Sequence, residues 1–200
     1  MSKIAIDIAL LPPDGVMDIC VELSQNFPDK SGRSPLNKVD NLPHISLFMG
    51  MVEENELNAC INELEKLVKN IYSFEGHITE LVEPEDKKDT AFYFRIEKSE
   101  KLNNLHKILI EGLSKYFPKQ STKNMYFGYP DENIDEQTFF WVDNYITGSS
   151  LEKFNPHITL KGCAKPTSPK LPITFQANRI ALCHLGDYCT CRKILYETRL

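Results

Sequence analysis

Along the 200-residue chain the hydrophobic positions change spacing several times, and each change marks an element. Residues 3–11 are an Ile- and Ala-rich run that Pro12-Pro13 ends, which predicts a first strand. Asp14 is placed to cap a helix reaching about residue 26, with Val16, Ile19, Cys20 and Leu23 on one side. Helical spacing returns over 53–70 at Leu57, Cys60, Ile61, Leu64, Leu67 and Val68, and over 99–117 at Leu102, Leu105, Ile108, Leu109 and Leu113 behind a capping Ser99. Strands are expected at about 72–82 and 90–97, separated by a charged turn, then around 173–185 and 188–199. Residues 28–41 carry Lys30, Arg33 and Lys38 among Ser, Gly and Pro and read as a basic loop; 119–129 reads as a loop with aromatics, and 139–146 as a helix. The pattern is that of an α+β chain forming one domain of two intimately packed lobes, its halves divided at about 1–98 and 99–200.

Two short strings within this pattern are near copies: Pro43-His44-Ile45-Ser46-Leu47 and Pro156-His157-Ile158-Thr159-Leu160. Proline lacks an amide hydrogen and is tolerated where a strand begins. Side chains alternate along a strand, so His44 and Ser46 share one face, with Phe48 following on it, and His157 and Thr159 share another with Lys161. The string His77-Ile78-Thr79 lacks the flanking proline and leucine and reads as structural, and His106 reads as a helix-face residue.

Histidine is the usual proton carrier near neutral pH, because imidazole is a competent base and imidazolium a competent acid there. A pair of them suits displacement at phosphorus: one takes the proton of the attacking hydroxyl or water and the other protonates the departing oxygen. The Ser46 and Thr159 hydroxyls can donate to the phosphoryl oxygens, and the Lys161 ammonium can reach the same group. Rings at Phe48, Tyr126, Phe127 and Tyr129 are candidates to stack a base.

Composition narrows the partners. A content of 42% hydrophobic and 26% charged residues fits a globular chain with a sizeable core, and the start of the sequence, with Asp7 inside its apolar run, lacks the pattern of a secretory signal. A cytoplasmic location without membrane attachment is expected, as a monomer with no obligate protein partner. The net charge of -5 offers no global attraction to nucleic acid, so a nucleotide-bearing substrate must be small or terminal. Six cysteines without framework spacing are expected as free thiols. A tight hairpin at Gly186-Asp187 would gather His184, Cys189 and Cys191 on one face, an incomplete ligand set from which no metal site is expected.

With two His-x-Ser/Thr motifs in place, the chain resembles the two-histidine (2H) phosphoesterases, which include 2'-5' RNA ligase-like proteins and RNA 2',3'-cyclic phosphodiesterases. The resemblance rests on His44-Ile45-Ser46 and His157-Ile158-Thr159 and on the general order of elements. It implies a bilobal fold with two related antiparallel-sheet lobes, outer helices and the motifs facing each other across a central cleft. It also implies catalysis without metal or other cofactor, on a 2',3'-cyclic phosphate or a 2'-5' linked nucleotide or RNA end. Two departures bear on substrate: an added segment between Phe117 and Asn155, and Lys161 where some members carry arginine. The competing readings are a nucleotide-binding module that keeps the cleft without turnover, and a zinc or redox protein built on the closing cysteines.

Overall fold

The computed structural model describes residues 2–25, 35–83, 91–160 and 169–200. Lys161, the basic residues Lys30 and Arg33, Cys163 and most of the charged turn after Val82 lie outside them. The strands run in chain order as β1 (Lys3–Leu11), β2 (Ile45–Glu53), β3 (Phe74–Val82), β4 (Phe92–Ile96), β5 (His157–Leu160), β6 (Ile173–Ala177), β7 (Arg179–Leu185) and β8 (Cys191–Arg199). They form two four-stranded antiparallel sheets, ordered β2-β1-β7-β8 and β5-β4-β3-β6. β1 is interior to its sheet and buried from Ile4 onward on both faces, which accounts for its nearly continuous apolar run.

Each sheet takes two strands from either side of residue 98, so the lobes are not the sequence halves expected above. The expected strand over 173–185 is likewise two strands, β6 and β7, which part at Asn178 and enter different sheets. Hydrophobic pattern reports that a segment is extended, and it is silent on which edge the segment joins.

The helices are α1 (Asp14–Gln25), α2 (Leu57–Val68), α3 (Glu100–Gly112), α4 (Glu136–Asp143) and α5 (Tyr145–Gly148). Ser99 caps α3 by accepting from the Leu102 amide at 3.3 Å, and Asp135 caps α4 by accepting from the Gln137 amide at 2.8 Å. α3 ends at Gly112, short of Phe117, and a 3₁₀ turn over Ser114–Tyr116 brings the Tyr116 carbonyl against β2. A Cβ on Gly50 of β2 would stand 2.6 Å from that carbonyl and 2.5 Å from the Phe48 ring, so only glycine fits there.

One continuous core joins the lobes, holding Ile6 and Phe48 from the first sheet together with Phe94 and Ile158 from the second. No helix among the described residues is long and apolar enough to cross a membrane.

Candidate active site

The first motif sits where β2 begins. His44 immediately precedes Ile45, and its Nδ1 lies 2.7 Å from the Leu42 carbonyl oxygen. Leu42 is fixed in turn by its amide, which donates to the Cys191 carbonyl at 3.2 Å. The second motif repeats the device at the start of β5, where His157 Nδ1 lies 2.8 Å from the Asn155 carbonyl oxygen. A carbonyl only accepts, so each Nδ1 carries the hydrogen and donates it, leaving Nε2 as the basic nitrogen of each neutral ring.

His44, Ser46, His157 and Thr159 all line a single cleft of about 450 Å³. Its remaining walls include the rings of Tyr93, Trp141, Tyr145, Phe154 and Tyr188. Tyr93 lies opposite Thr159 across β4 and β5 and meets the His157 ring edge-on at 5.2 Å. Arg95, opposite His157, reaches Glu80 at 2.9 Å and Asn155 at 3.4 Å; its pKa is raised above the ordinary arginine value, chiefly by the Glu80 carboxylate.

Phe48 is not part of this cleft. The pairing of β1 with β2 passes from Ile8 opposite Phe48 to Ala9 opposite Ser46, so Leu47 is an extra residue in a bulge. The bulge breaks the alternation on which the shared face of Ser46 and Phe48 depended. Phe48 turns into the core at 0% exposure and stacks on Phe117 with ring centroids 5.9 Å apart.

The loop aromatics also lie elsewhere. Tyr126 is buried against Phe139, Phe127 meets His184 edge-on beneath the Arg192 guanidinium, and Tyr129 is exposed. His77 contacts Thr174 and Glu97 and does not line the cleft.

The closing hairpin differs from the tight turn expected. Leu185 pairs with Cys191 and His184 with Lys193, across a five-residue connection in which Tyr188 and Cys189 both adopt positive φ of 54° and 55°. His184 therefore faces away from Cys189 and Cys191 and its Nε2 lies 3.0 Å from the Met125 carbonyl. Asp187 secures the connection, accepting from the Asp135 amide, the Thr138 hydroxyl and the Tyr188 amide at 2.8 to 3.0 Å. That strained turn places Tyr188 and Cys189 in the cleft wall.

Sequence reading missed Asp7. It is fully buried in β1, beneath the first motif, where its Oδ2 accepts from the Ser46 hydroxyl at 2.6 Å and lies 3.6 Å from His44 Nε2. Burial pushes its carboxyl up from 3.8 to about 7, with the Ser46 hydroxyl acting in the opposite direction. Cys191 completes a local group in which one atom each of Asp7, His44 and Cys191 lies within 4.8 Å of the others. Burial also holds the Cys191 thiol well above its ordinary pKa, so a metal would have to displace protons from buried groups of both kinds. The available signal for Asp7 was an acidic residue interrupting an otherwise apolar strand.

His106 was missed as well. It is buried in α3 and bridges both motif segments: Nδ1 donates to the Leu47 carbonyl at 2.8 Å, Nε2 accepts from the Leu151 amide at 2.8 Å, and the ring stacks on Phe154 with centroids 3.9 Å apart.

Comparison with known proteins agrees with this architecture. The family model of the 2'-5' RNA ligase superfamily matches residues 29–186, and the chain belongs to that superfamily of two-histidine phosphoesterases. Among solved structures it is similar to TT0787 of Thermus thermophilus, at 13% identity and a TM-score of 0.60, covering 98% of both chains. It is also similar to E. coli LigT complexed with 3'-AMP, at 15% identity and a TM-score of 0.57 over 100% of this chain and 99% of that one. A crystal structure described as a phosphoesterase matches at 14% identity and a TM-score of 0.59, with the same coverage. At these identities the likeness is one of fold: two antiparallel sheets in the bilobal arrangement. No curated protein matches the chain.

Proposed function

We propose that the protein hydrolyses a ribose 2',3'-cyclic phosphate or a 2'-5' phosphodiester of a nucleotide or RNA end, with His44 and His157 as its acid-base pair. The observation that carries this reading is the duplicated imidazole geometry: two histidines lining one cleft, each with Nδ1 committed to the carbonyl two residues before it. Each Nε2 is then ready to take or give a proton without rotating the ring. One histidine removes the proton of the nucleophile while the other protonates the leaving oxygen, each transfer being worth typically 10²- to 10⁴-fold. The direction of attack decides which takes which role, and neither step calls for a metal or a cofactor.

Ser46 and Thr159 are assigned to the phosphoryl oxygens, with Lys161, adjacent to β5 in sequence, as a further phosphate contact. Trp141 and Tyr188, whose ring centroids lie 6.1 Å apart at the cleft wall, are the aromatics best placed to hold a base. The LigT structures with 3'-AMP, NADP+ and ATP lend support to a nucleotide ligand in a cleft of this fold.

A panel of 2',3'-cyclic nucleotides and 2'-5' oligonucleotides, assayed with chelator present, tests the proposal. Turnover is expected to survive chelation and to fall by on the order of 10²-fold or more in His44→Ala and in His157→Ala. Ser46→Ala and Thr159→Ala should be milder, each losing one hydrogen bond to the phosphate. A His157→Ala protein as active as wild type, or binding without any turnover across the panel, would overturn it.

A further inference from the structure

Asp7 has no part in the scheme above, yet it touches both members of the first motif. We infer that Asp7 is a positioning residue whose protonation state sets the direction of the Ser46 hydroxyl proton, and so decides whether Ser46 can donate to a bound phosphoryl or sulfuryl oxygen. The inference rests on the assignment of Ser46 to the phosphate.

A serine hydroxyl has one hydrogen. When Asp7 is a carboxylate it can only accept, so across the 2.6 Å contact Ser46 must donate downward, and only lone pairs remain for the cleft. When Asp7 is protonated the same contact runs the other way: its O–H donates to Ser46 Oγ and the serine hydrogen turns toward the anion. The geometry leaves Asp7 little alternative, since its carboxyl is sealed from solvent and its Oδ1 finds no hydrogen-bond partner among the described residues. Charge acts in the same sense. An ionised Asp7 beneath Ser46 sets a negative charge behind the position the anion takes.

The groups around Asp7 come from every neighbouring element. His44 and Ser46 belong to the start of β2, Cys183 is its partner on β7, Cys191 opens β8, Cys189 lies in the turn before it, and Tyr145 stands on α5. Burial keeps the Tyr145 phenol and the Cys189 and Cys191 thiols in their neutral forms, and the nearby Asp7 pushes each pKa in the same upward direction. Among these groups only His44 can become a cation, and its Nε2 lies 3.6 Å from the Asp7 carboxyl. Burial favours a neutral Asp7 into the physiological range, near pH 7.

Sulfate, whose charge is constant from mildly acidic to mildly alkaline pH, is the probe. Its affinity for the full-length protein is to be measured by calorimetry between pH 5.5 and 8.5 for wild type, Asp7→Asn, Asp7→Ala and Ser46→Ala. The asparagine amide carries no charge and, through Nδ2, can donate to Ser46 as the protonated acid does, so it is the neutral stand-in for that state. The ratio of Asp7→Asn to wild-type affinity is expected to be near one at pH 5.5 and to rise to roughly tenfold at pH 8.5. Asp7→Ala, which offers Ser46 neither donor nor charge, should show a smaller rise than Asp7→Asn.

Should Asp7→Asn fail to fold, Ser46→Ala carries the test, because without the hydroxyl the fall in sulfate affinity with pH should be visibly shallower than in wild type. A ratio that stays flat across the range, or a Ser46→Ala profile parallel to wild type, would overturn the inference. Sulfate binding needs no turnover, so the two readings fail separately. A rising ratio in a protein that hydrolyses none of the nucleotide panel would refute the proposed function alone, and hydrolysis with a flat ratio would refute the role of Asp7 alone.

Discussion

At the scale of single residues, His106 shows how a side chain outside the cleft can govern it. Its ring uses both nitrogens to link the bulge residue Leu47, one position after Ser46, to the Leu151–Phe154 segment that leads into His157. Replacing it by leucine would leave the buried Leu47 carbonyl without its partner, at about 1 to 3 kcal/mol, and the part-buried Leu151 amide likewise, at a smaller cost. We expect His106→Leu to lose about 2 to 4 kcal/mol in urea unfolding, and His106→Gln, which can restore one bond, to lose less. A His106→Leu protein as stable as wild type would mean that water replaces the ring. Asp7 and His106 were both legible as residue types in the sequence, one as a charge within an apolar strand and the other as a histidine on a helix. Their partners were not, because Ser46 lies 39 residues from Asp7 and Leu47 lies 59 from His106, distances over which pattern carries no register.

At the scale of elements, local chemistry was readable where one segment fixes its own conformation. The cap of α3 by Ser99 and the two motif strands opened by Pro43 and Pro156 fall in this group. Features set by two segments together escaped: the bulge at Leu47, the five-residue turn after Leu185, and the division of 173–185 between two sheets. The bulge has a support that can be tested. Gly50 lets the Phe48 ring and the Tyr116 carbonyl pack where a side chain would be, and Phe48 is the residue that the bulge turns inward. Gly50→Ala should cost roughly 1 to 3 kcal/mol of stability, the usual range for overpacking a filled core. It should also lower turnover by shifting Ser46, while Gly15→Ala, whose Cβ would meet nothing within 4 Å and which does not line the cleft, serves as the control for substitution itself. Equal melting temperatures for the two variants would show that β2 relaxes without loss.

At the scale of the whole molecule, the buried titratable groups pull the pH dependence of stability in opposite directions. His106 and His184 have pKa values lowered by burial, so the folded state binds fewer protons than the unfolded chain below about 6.5, and stability is lost as pH falls through that region. Asp7 does the reverse. Its carboxyl is raised from 3.8 to about 7, so between those values the folded protein keeps a proton that the unfolded chain has released. The slope of unfolding free energy with pH follows protons bound unfolded minus folded, which is negative here, and stability falls as pH rises through the window. Asp7→Asn has no proton to lose. Its stability relative to wild type should therefore climb from about pH 4 to pH 7 and level off above, by up to about 4 kcal/mol for a shift of this size. Ion pairing with a protonated His44 stabilises the carboxylate and trims that figure at the acidic end. Taking the difference between two proteins cancels His106, His184 and the surface carboxylates, so paired urea titrations across this range isolate Asp7 together with its contact to His44. A difference that does not change with pH would show a carboxyl that is ionised throughout in the fold, held by His44 rather than by its own proton.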